Sequence, residues 1–105
     1  MPLNPPTNPT QQALARATLT IDLEAITANW RALAARGRPG TETAAVLKAD
    51  AYGLGADRVG PTLRAAGVRT FFVALAEEGV ALRAAIGPDP AILVLAGLLP
   101  GDSEA

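Results

Sequence analysis

Short apolar runs alternate with amphipathic segments through most of the chain. The runs occupy residues 44–48, 70–74 and 91–95, and the first lies between a Pro39-Gly40 loop and the Gly53/Gly55 pair. Runs this short, with apolar residues at consecutive positions, are typical of strands buried on both faces. The order strand, helix, strand, helix, strand predicts three mutually parallel strands joined by helical crossovers, which is an α/β fold.

The two segments between these strands have helical periodicity. A helix is predicted over about 57–66, with Pro61 near its first turn, where a missing N–H costs little. A second helix is predicted over 76–86, although Gly79 weakens it by roughly 1 kcal/mol relative to alanine. The spacing suits either an open doubly wound sheet or the first part of a (β/α)8 barrel.

The N-terminal part of the chain has a different pattern. Residues 1–16 are rich in proline and polar side chains, which predicts a disordered tail. Residues 17–23 alternate apolar and polar positions, which predicts a half-buried strand outside the parallel sheet. Asp22 can cap a following helix over about 23–36. The apolar stripe of that helix consists of Ile26, Trp30 and Leu33, and Trp30 is predicted to be a core residue.

Composition excludes several kinds of protein. The 105 residues suit one domain, and a net charge of −1 creates no field that favours nucleic acid or an anionic membrane. The chain has no cysteine and no histidine, so disulfides, thiolate metal sites and the usual neutral-pH base are excluded, and no metal site is predicted. No apolar run approaches the roughly 20 residues of a membrane helix, and no secretory signal is present, so a cytoplasmic protein is expected.

Lys48 is the residue that most directly indicates chemistry. It is the only lysine among nine basic residues, and it stands at the end of the first apolar run. A buried amine is costly to charge, which favours the neutral form that attacks carbonyl carbons, whereas arginine cannot do this. Such a lysine suits Schiff-base formation, most often with pyridoxal phosphate. The plainer interpretation is that one leftover lysine among nine cations is chance.

The residues around Lys48 resemble a family signature. The sequence Ala45-Val46-Leu47-Lys48-Ala49-Asp50-Ala51-Tyr52-Gly53 is similar to the motif of alanine racemases. In that family the lysine carries pyridoxal phosphate and the tyrosine four residues later contacts the phosphate, which implies these roles for Lys48 and Tyr52. The family pattern continues Gly-His-Gly, but Leu54 stands in the place of the histidine here. The segment from Ile21 to Asn29 also resembles the opening of the family.

The resemblance implies a fold and an activity. It predicts that residues 17–105 are the N-terminal fragment of a pyridoxal-phosphate-binding (β/α)8 barrel, which takes roughly 250 residues when complete. The activity implied is the interconversion of L-alanine and D-alanine, which supplies D-alanine for the cell wall, by a homodimer when the enzyme is complete. The second proton-transfer base of the family, a tyrosine from the partner subunit, has no counterpart here. The isolated 105-residue chain is therefore expected to be inactive.

Other functions are compatible with the same residues. The chain could be another barrel protein of this group, such as a pyridoxal-phosphate carrier or an amino-acid decarboxylase, or a non-catalytic remnant. A continuing reading frame after Ala105 would favour the enzyme, and a stop codon the remnant. A nucleotide-binding loop is disfavoured because Arg58 stands where G-x-G-x-x-G requires its third glycine. Glu77 and Glu78 could be a carboxylate pair, but a solvated helix start is the preferred interpretation.

Overall fold

The computed structural model describes residues 16–104, so the predicted tail over 1–16 lies outside the described residues except for Arg16. Three helices, three strands, one short turn and one 3-10 helix are present in that part of the chain. In chain order they are α1 (Leu23–Ala34), β1 (Ala45–Val46), the lysine turn (Lys48–Tyr52), α2 (Ala56–Ala66), β2 (Thr70–Val73), α3 (Ala76–Ile86), β3 (Ala91–Val94) and the 3-10 helix (Asp102–Glu104).

The three strands form one parallel sheet in the order β1-β2-β3, which confirms the predicted topology. Strand β1 is shorter than predicted, but its ladder continues, because the Leu47 N–H donates to the Phe72 carbonyl at 2.8 Å. Strand β3 is extended in the same way, by a 2.8 Å bond from the Leu95 N–H to the Val73 carbonyl. The helices predicted over 57–66 and 76–86 are present as α2 and α3.

The hydrophobic core lies between one face of the sheet and the helices. Phe71 and Val73 point to this face from β2, and both are almost fully buried. Leu82 and Ile86 meet them from α3, and Leu63 from α2 belongs to the same cluster. Alternate residues of the strand and residues at helical spacing in α2 and α3 therefore point to the same side and form one layer of apolar contacts.

The opposite face of the sheet is open, so the prediction that each strand is buried on both faces is wrong for this chain. Val46, Phe72 and Leu93 are aligned in one row across the three strands. Val46 is 42% exposed and Leu93 is 47% exposed. The cause is topological, because in the described residues the helical contacts to the core all come from the side of Phe71 and Val73. Exposed apolar residues next to one another mark contact or binding surfaces in proteins.

The strand predicted over 17–23 is also wrong. Residues 18–22 belong to no strand in the part of the chain that the structure describes, and α1 already begins at Leu23. Alternation makes a segment suitable for a strand, but a strand forms only where a second strand supplies hydrogen bonds. The predicted capping role of Asp22 is confirmed, because its Oδ1 accepts the Ala25 N–H at 3.1 Å.

The stripe predicted for α1 is partly correct. Ile26 and Trp30 pack against the core, and the Trp30 Nε1–H donates to the Thr43 carbonyl at 2.9 Å. Leu33 is 63% exposed and does not belong to the buried stripe. The helix ends at Ala34 rather than at residue 36. None of the helices within residues 16–104 has the length and apolarity needed to cross a bilayer.

Helices α2 and α3 approach each other closely at Gly60. A Cβ at Gly60 would lie 2.8 Å from Leu82 Cδ1 and 3.0 Å from Ile86 Cγ2, and both neighbours are locked in the core. The sequence had predicted Pro61 near the first turn of this helix, but it lies in the second turn, so one backbone hydrogen bond is lost there. Close packing at Gly60 is thus a requirement for the two helices to cover the sheet together.

Alanine at Gly60 is expected to destabilise the chain. Overpacking costs about 1–3 kcal/mol and the higher helix propensity of alanine returns about 1, so we expect a net loss of about 1 kcal/mol in the free energy of unfolding. Gly79→Ala is the matched control, because a Cβ there meets Ile92 and Val73 at 3.5 and 3.6 Å, which are ordinary contacts. Urea unfolding of both variants measures the difference, and equal stabilities would contradict the close-packing argument.

Candidate functional site

The lysine turn lies at the carboxyl end of the sheet. Strand β1 ends at Val46 and the turn begins at Lys48, so Lys48 follows the carboxyl end of its strand, as predicted. Ala74 and Leu75 follow strand β2 at the same edge, because the strands are parallel. In parallel α/β folds, functional groups collect in the loops at this edge.

The backbone of the lysine turn is left-handed. Ala49, Asp50 and Ala51 have φ of 51°, 56° and 56° with ψ of 47° to 48°, and Tyr52 has φ of 57°. Left-handed helix geometry costs roughly 1–2 kcal/mol per residue for L-amino acids other than glycine. Four such residues in succession are therefore held in place by the surrounding structure, and strain of this kind concentrates at functional sites.

Several hydrogen bonds hold the turn. The Gly53 N–H donates to the Ala49 carbonyl at 2.9 Å, and the Gly55 N–H donates to the Asp50 carbonyl at 2.9 Å. The Asp50 side chain also accepts the Ala56 N–H at 2.8 Å, which ties the turn to the start of α2. Ala51 is buried in the core beneath the turn. Core contacts and hydrogen bonds together offset the backbone strain.

Glu78 of α3 connects the lysine turn to strand β2. Its Oε2 accepts the Ala49 N–H at 2.7 Å, and its Oε1 accepts the N–H groups of Ala74 and Leu75 at 2.8 and 2.9 Å. Desolvation opposes the charged carboxylate, but the bonds from the N–H groups of Leu75, Ala49 and Ala74, with a smaller contribution from that of Asp50, outweigh it, and the pKa of Glu78 lies below its ordinary value of 4.5. The stabilisation of the fold by the ionised Glu78 carboxylate is therefore complete at a pH above the ordinary pKa. It is lost as the pH falls through the lower pKa of the folded state.

The predicted helix start is confirmed, because Glu77 and Glu78 both lie in the first turn of α3, but Glu78 has contacts that the sequence does not predict. Glu77 is exposed, but Glu78 is half-buried and has three backbone donors. One of these contacts has a sequence signal, because a glutamate at the third position of a helix commonly accepts the N–H that precedes it. The bond to Ala49 joins residues 29 positions apart, and a local pattern does not reveal it.

The side chains of Lys48 and Tyr52 lie close together. The Lys48 Nζ is 5.9 Å from the centre of the Tyr52 ring, and Tyr52 is 62% exposed. Within residues 16–104 the Lys48 amine forms no ion pair with a carboxylate. Leu54, one residue after Gly53, is exposed and adds no hydrogen-bonding side chain. The turn thus presents an amine and a phenol that can bind a molecule with a carbonyl and an anionic group.

The chain is similar to several known proteins. Residues 21–105 match the family model of the alanine racemase N-terminal domain. An alanine racemase of Dinoroseobacter shibae is 59% identical over 92 residues, which cover 88% of this chain and 26% of that protein. An alanine racemase of Methylobacterium is 56% identical over 89 residues, covering 85% of this chain and 24% of the relative.

Two solved structures are similar as well. The alanine racemase of Bartonella henselae with covalently bound pyridoxal phosphate aligns with a TM-score of 0.75 at 48% identity, over 80% of this chain and 24% of that one. The alanine racemase of E. faecalis aligns with a TM-score of 0.68 at 39% identity, over 75% of this chain and 21% of that one. The chain therefore spans about a quarter of the length of the relatives that it matches.

Proposed function

Because this chain belongs to the family of alanine racemase N-terminal domains, we propose that it supplies the cofactor-lysine part of a pyridoxal-phosphate-dependent alanine racemase. Its three parallel strands and intervening helices are the first part of the barrel of that family. The observation that carries the proposal is the placement of Lys48 on a strained turn at the carboxyl end of the sheet. The reaction proposed is the interconversion of L-alanine and D-alanine.

The donor set fits pyridoxal phosphate. Lys48 would attach the aldehyde carbon through Nζ, and the Tyr52 hydroxyl would donate a hydrogen bond to the phosphate. The nearness of the two side chains and the absence of an ion pair at Lys48 within the described residues support this assignment. When bound, pyridoxal phosphate supplies an electron sink that acidifies the α-proton of an amino acid.

Lys48 would also move a proton. Its amine can accept a proton from one face of the α-carbon in one direction of the reaction and donate a proton to that face in the other direction, while a second group acts on the opposite face; this is one half of a racemisation. The left-handed turn fixes the direction from which the amine approaches, because hydrogen bonds and the burial of Ala51 restrain its backbone. Leu54 bears no donor or acceptor in its side chain, so it does not compete for either proton or phosphate.

The remaining parts of the site are assigned by the same proposal. Residues 17–105 form the N-terminal part of the barrel domain, and further strands complete the barrel and cover the open apolar face. A second proton-transfer group acts on the opposite face of the α-carbon, contributed by the partner in a cytoplasmic homodimer. The exposure of Val46 and Leu93 on either side of the half-buried Phe72 supports a further layer over this face of the sheet.

Tyr52→Phe tests the phosphate role in this proposal. A hydrogen bond to a charged group is worth about 1.5–3 kcal/mol, so we expect pyridoxal phosphate to attach about tenfold more weakly, or worse, to the variant. Pyridoxal, which lacks the phosphate, should attach equally to the variant and the unmodified chain. Absorbance titration with both aldehydes, followed by borohydride reduction, measures the two affinities.

The paired titration separates two kinds of failure. Equal loss for both aldehydes would mean that Tyr52 supports the turn and does not bind phosphate. An unchanged affinity for both would remove Tyr52 from the site. Saturable attachment to the unmodified chain supports the cofactor proposal, and its absence would contradict it irrespective of Tyr52.

A further inference from the structure

We propose that Glu78 is a positioning residue for Lys48, which acts by holding the left-handed lysine turn against the end of strand β2. The inference rests on the proposed function and adds to it a residue outside the signature motif. Ala49, the residue directly after Lys48, donates its N–H to Glu78 Oε2 at 2.7 Å. This is the side-chain contact that fixes the first left-handed residue of the turn.

The contact requires a carboxylate. One oxygen of Glu78 faces Ala49, and the other faces Ala74 and Leu75, so all three partners are donors. A carboxylate accepts on both sides, whereas an amide has one accepting and one donating end. In Glu78→Gln the amide nitrogen must face a backbone N–H on one side or the other. The N–H groups of Ala74 and Leu75 both lie within 2.9 Å of one oxygen, whereas on the other side only Ala49 is within hydrogen-bond distance and Asp50 contributes weakly. We therefore expect the accepting end to stay at β2 and the bond to Ala49 to break.

The contact is also more than a helix cap. Accepting the Leu75 N–H at the start of α3 would be sufficient for capping, and this needs only one oxygen of Glu78. The second oxygen reaches a segment 29 residues earlier in the chain. Ala49 has φ of 51°, a conformation that an alanine adopts only when it is restrained. Loss of the bond to Glu78 would remove this restraint on Ala49, and the turn that begins at Lys48 would then leave its left-handed conformation more easily.

Residue-resolved amide exchange tests the proposal without any cofactor. In the 105-residue chain carrying Glu78→Gln, we expect the Ala49 N–H to exchange about 10- to 100-fold faster, because a bond to a charged acceptor is lost. Amides inside α3, such as that of Leu82, should be little changed. Glu77→Gln is the matched control, since Glu77 is exposed and neighbours Glu78, and it should leave Ala49 exchange unchanged.

A second measurement connects the turn to Lys48. The rate of pyridoxal phosphate attachment, trapped by borohydride and measured by mass, should fall about tenfold or more in Glu78→Gln and stay unchanged in Glu77→Gln. Where Glu78→Gln does not fold, Glu78→Asp serves instead. Its shorter side chain keeps the acceptor for α3 but does not reach Ala49. We therefore expect the Ala49 N–H to exchange faster and pyridoxal phosphate to attach more slowly in this variant as well.

Both measurements, amide exchange and the attachment rate, can overturn the positioning role of Glu78. Unchanged Ala49 exchange, an unchanged attachment rate, or failure of both Glu78 variants to fold while Glu77→Gln folds would overturn the positioning role. If the unmodified chain takes up no cofactor, the proposed function fails, yet the exchange arm still reports whether Glu78 holds the turn. The two proposals can therefore fail separately.

Discussion

Lys48→Arg is expected to abolish covalent attachment of pyridoxal phosphate while leaving the fold intact. Arginine keeps the positive charge and a long aliphatic stem, but it does not lose its proton and forms no bond to the aldehyde carbon. The side chain lies outside the buried core, so far-ultraviolet circular dichroism and the urea midpoint should be retained. The absorbance band of the attached cofactor should disappear, and Lys48→Ala should behave in the same way.

The composition of the chain leaves few amines that can react with the aldehyde in this experiment. Lys48 is the only lysine, so the N-terminal α-amine is the one other amine that can react. Acetylation of that amine is the control, and it should leave attachment undiminished. Attachment that survives in Lys48→Arg but is lost on acetylation would refute the assignment of Lys48 as the cofactor lysine.

The second large effect is an absence of turnover. We predict that the 105-residue chain with added pyridoxal phosphate does not racemise alanine. Inversion requires proton transfer on both faces of the α-carbon, and one lysine, one tyrosine and no histidine are present. Tyr52 is assigned to the phosphate, which leaves Lys48 alone on one face. The uncovered row of Val46, Phe72 and Leu93 would also expose the site to water and favour association.

A coupled assay for D-alanine, supported by polarimetry, measures this prediction. The expected result is formation of D-alanine no faster than with pyridoxal phosphate alone. Robust turnover that is lost in Lys48→Arg would contradict it and would show that association between chains completes the site. Turnover that persists in Lys48→Arg would be assigned to a contaminating racemase.

Features that depend on local periodicity could be predicted from the sequence. Three apolar runs separated by helical segments imply a parallel sheet, and the register of Phe71 with Ala45 and Ile92 agrees with that topology. The position of Lys48 after β1 follows from the same pattern. The chemistry proposed for it follows from the residue type, because lysine is the one basic side chain here that can act as a nucleophile.

Features that depend on distant partners could not be predicted. The alternation over residues 17–23 gives no information about whether a partner strand is present, and none pairs with it in the described chain. The left-handed turn has no periodic signature, because alanine and aspartate at these positions look like ordinary helix residues. The bond between Glu78 and Ala49 closes a long loop, so its existence depends on the fold already being formed.

Peptide mapping after borohydride reduction tests the central claim most directly. The chain is incubated with pyridoxal phosphate, reduced, digested and sequenced by mass spectrometry. A pyridoxyl phosphate label on Lys48, saturating at one per chain and reduced in rate by Glu78→Gln, is the predicted result. A label confined to the N-terminal amine, or no label above that of the urea-unfolded chain, would contradict the claim that the left-handed turn presents Lys48 to this cofactor.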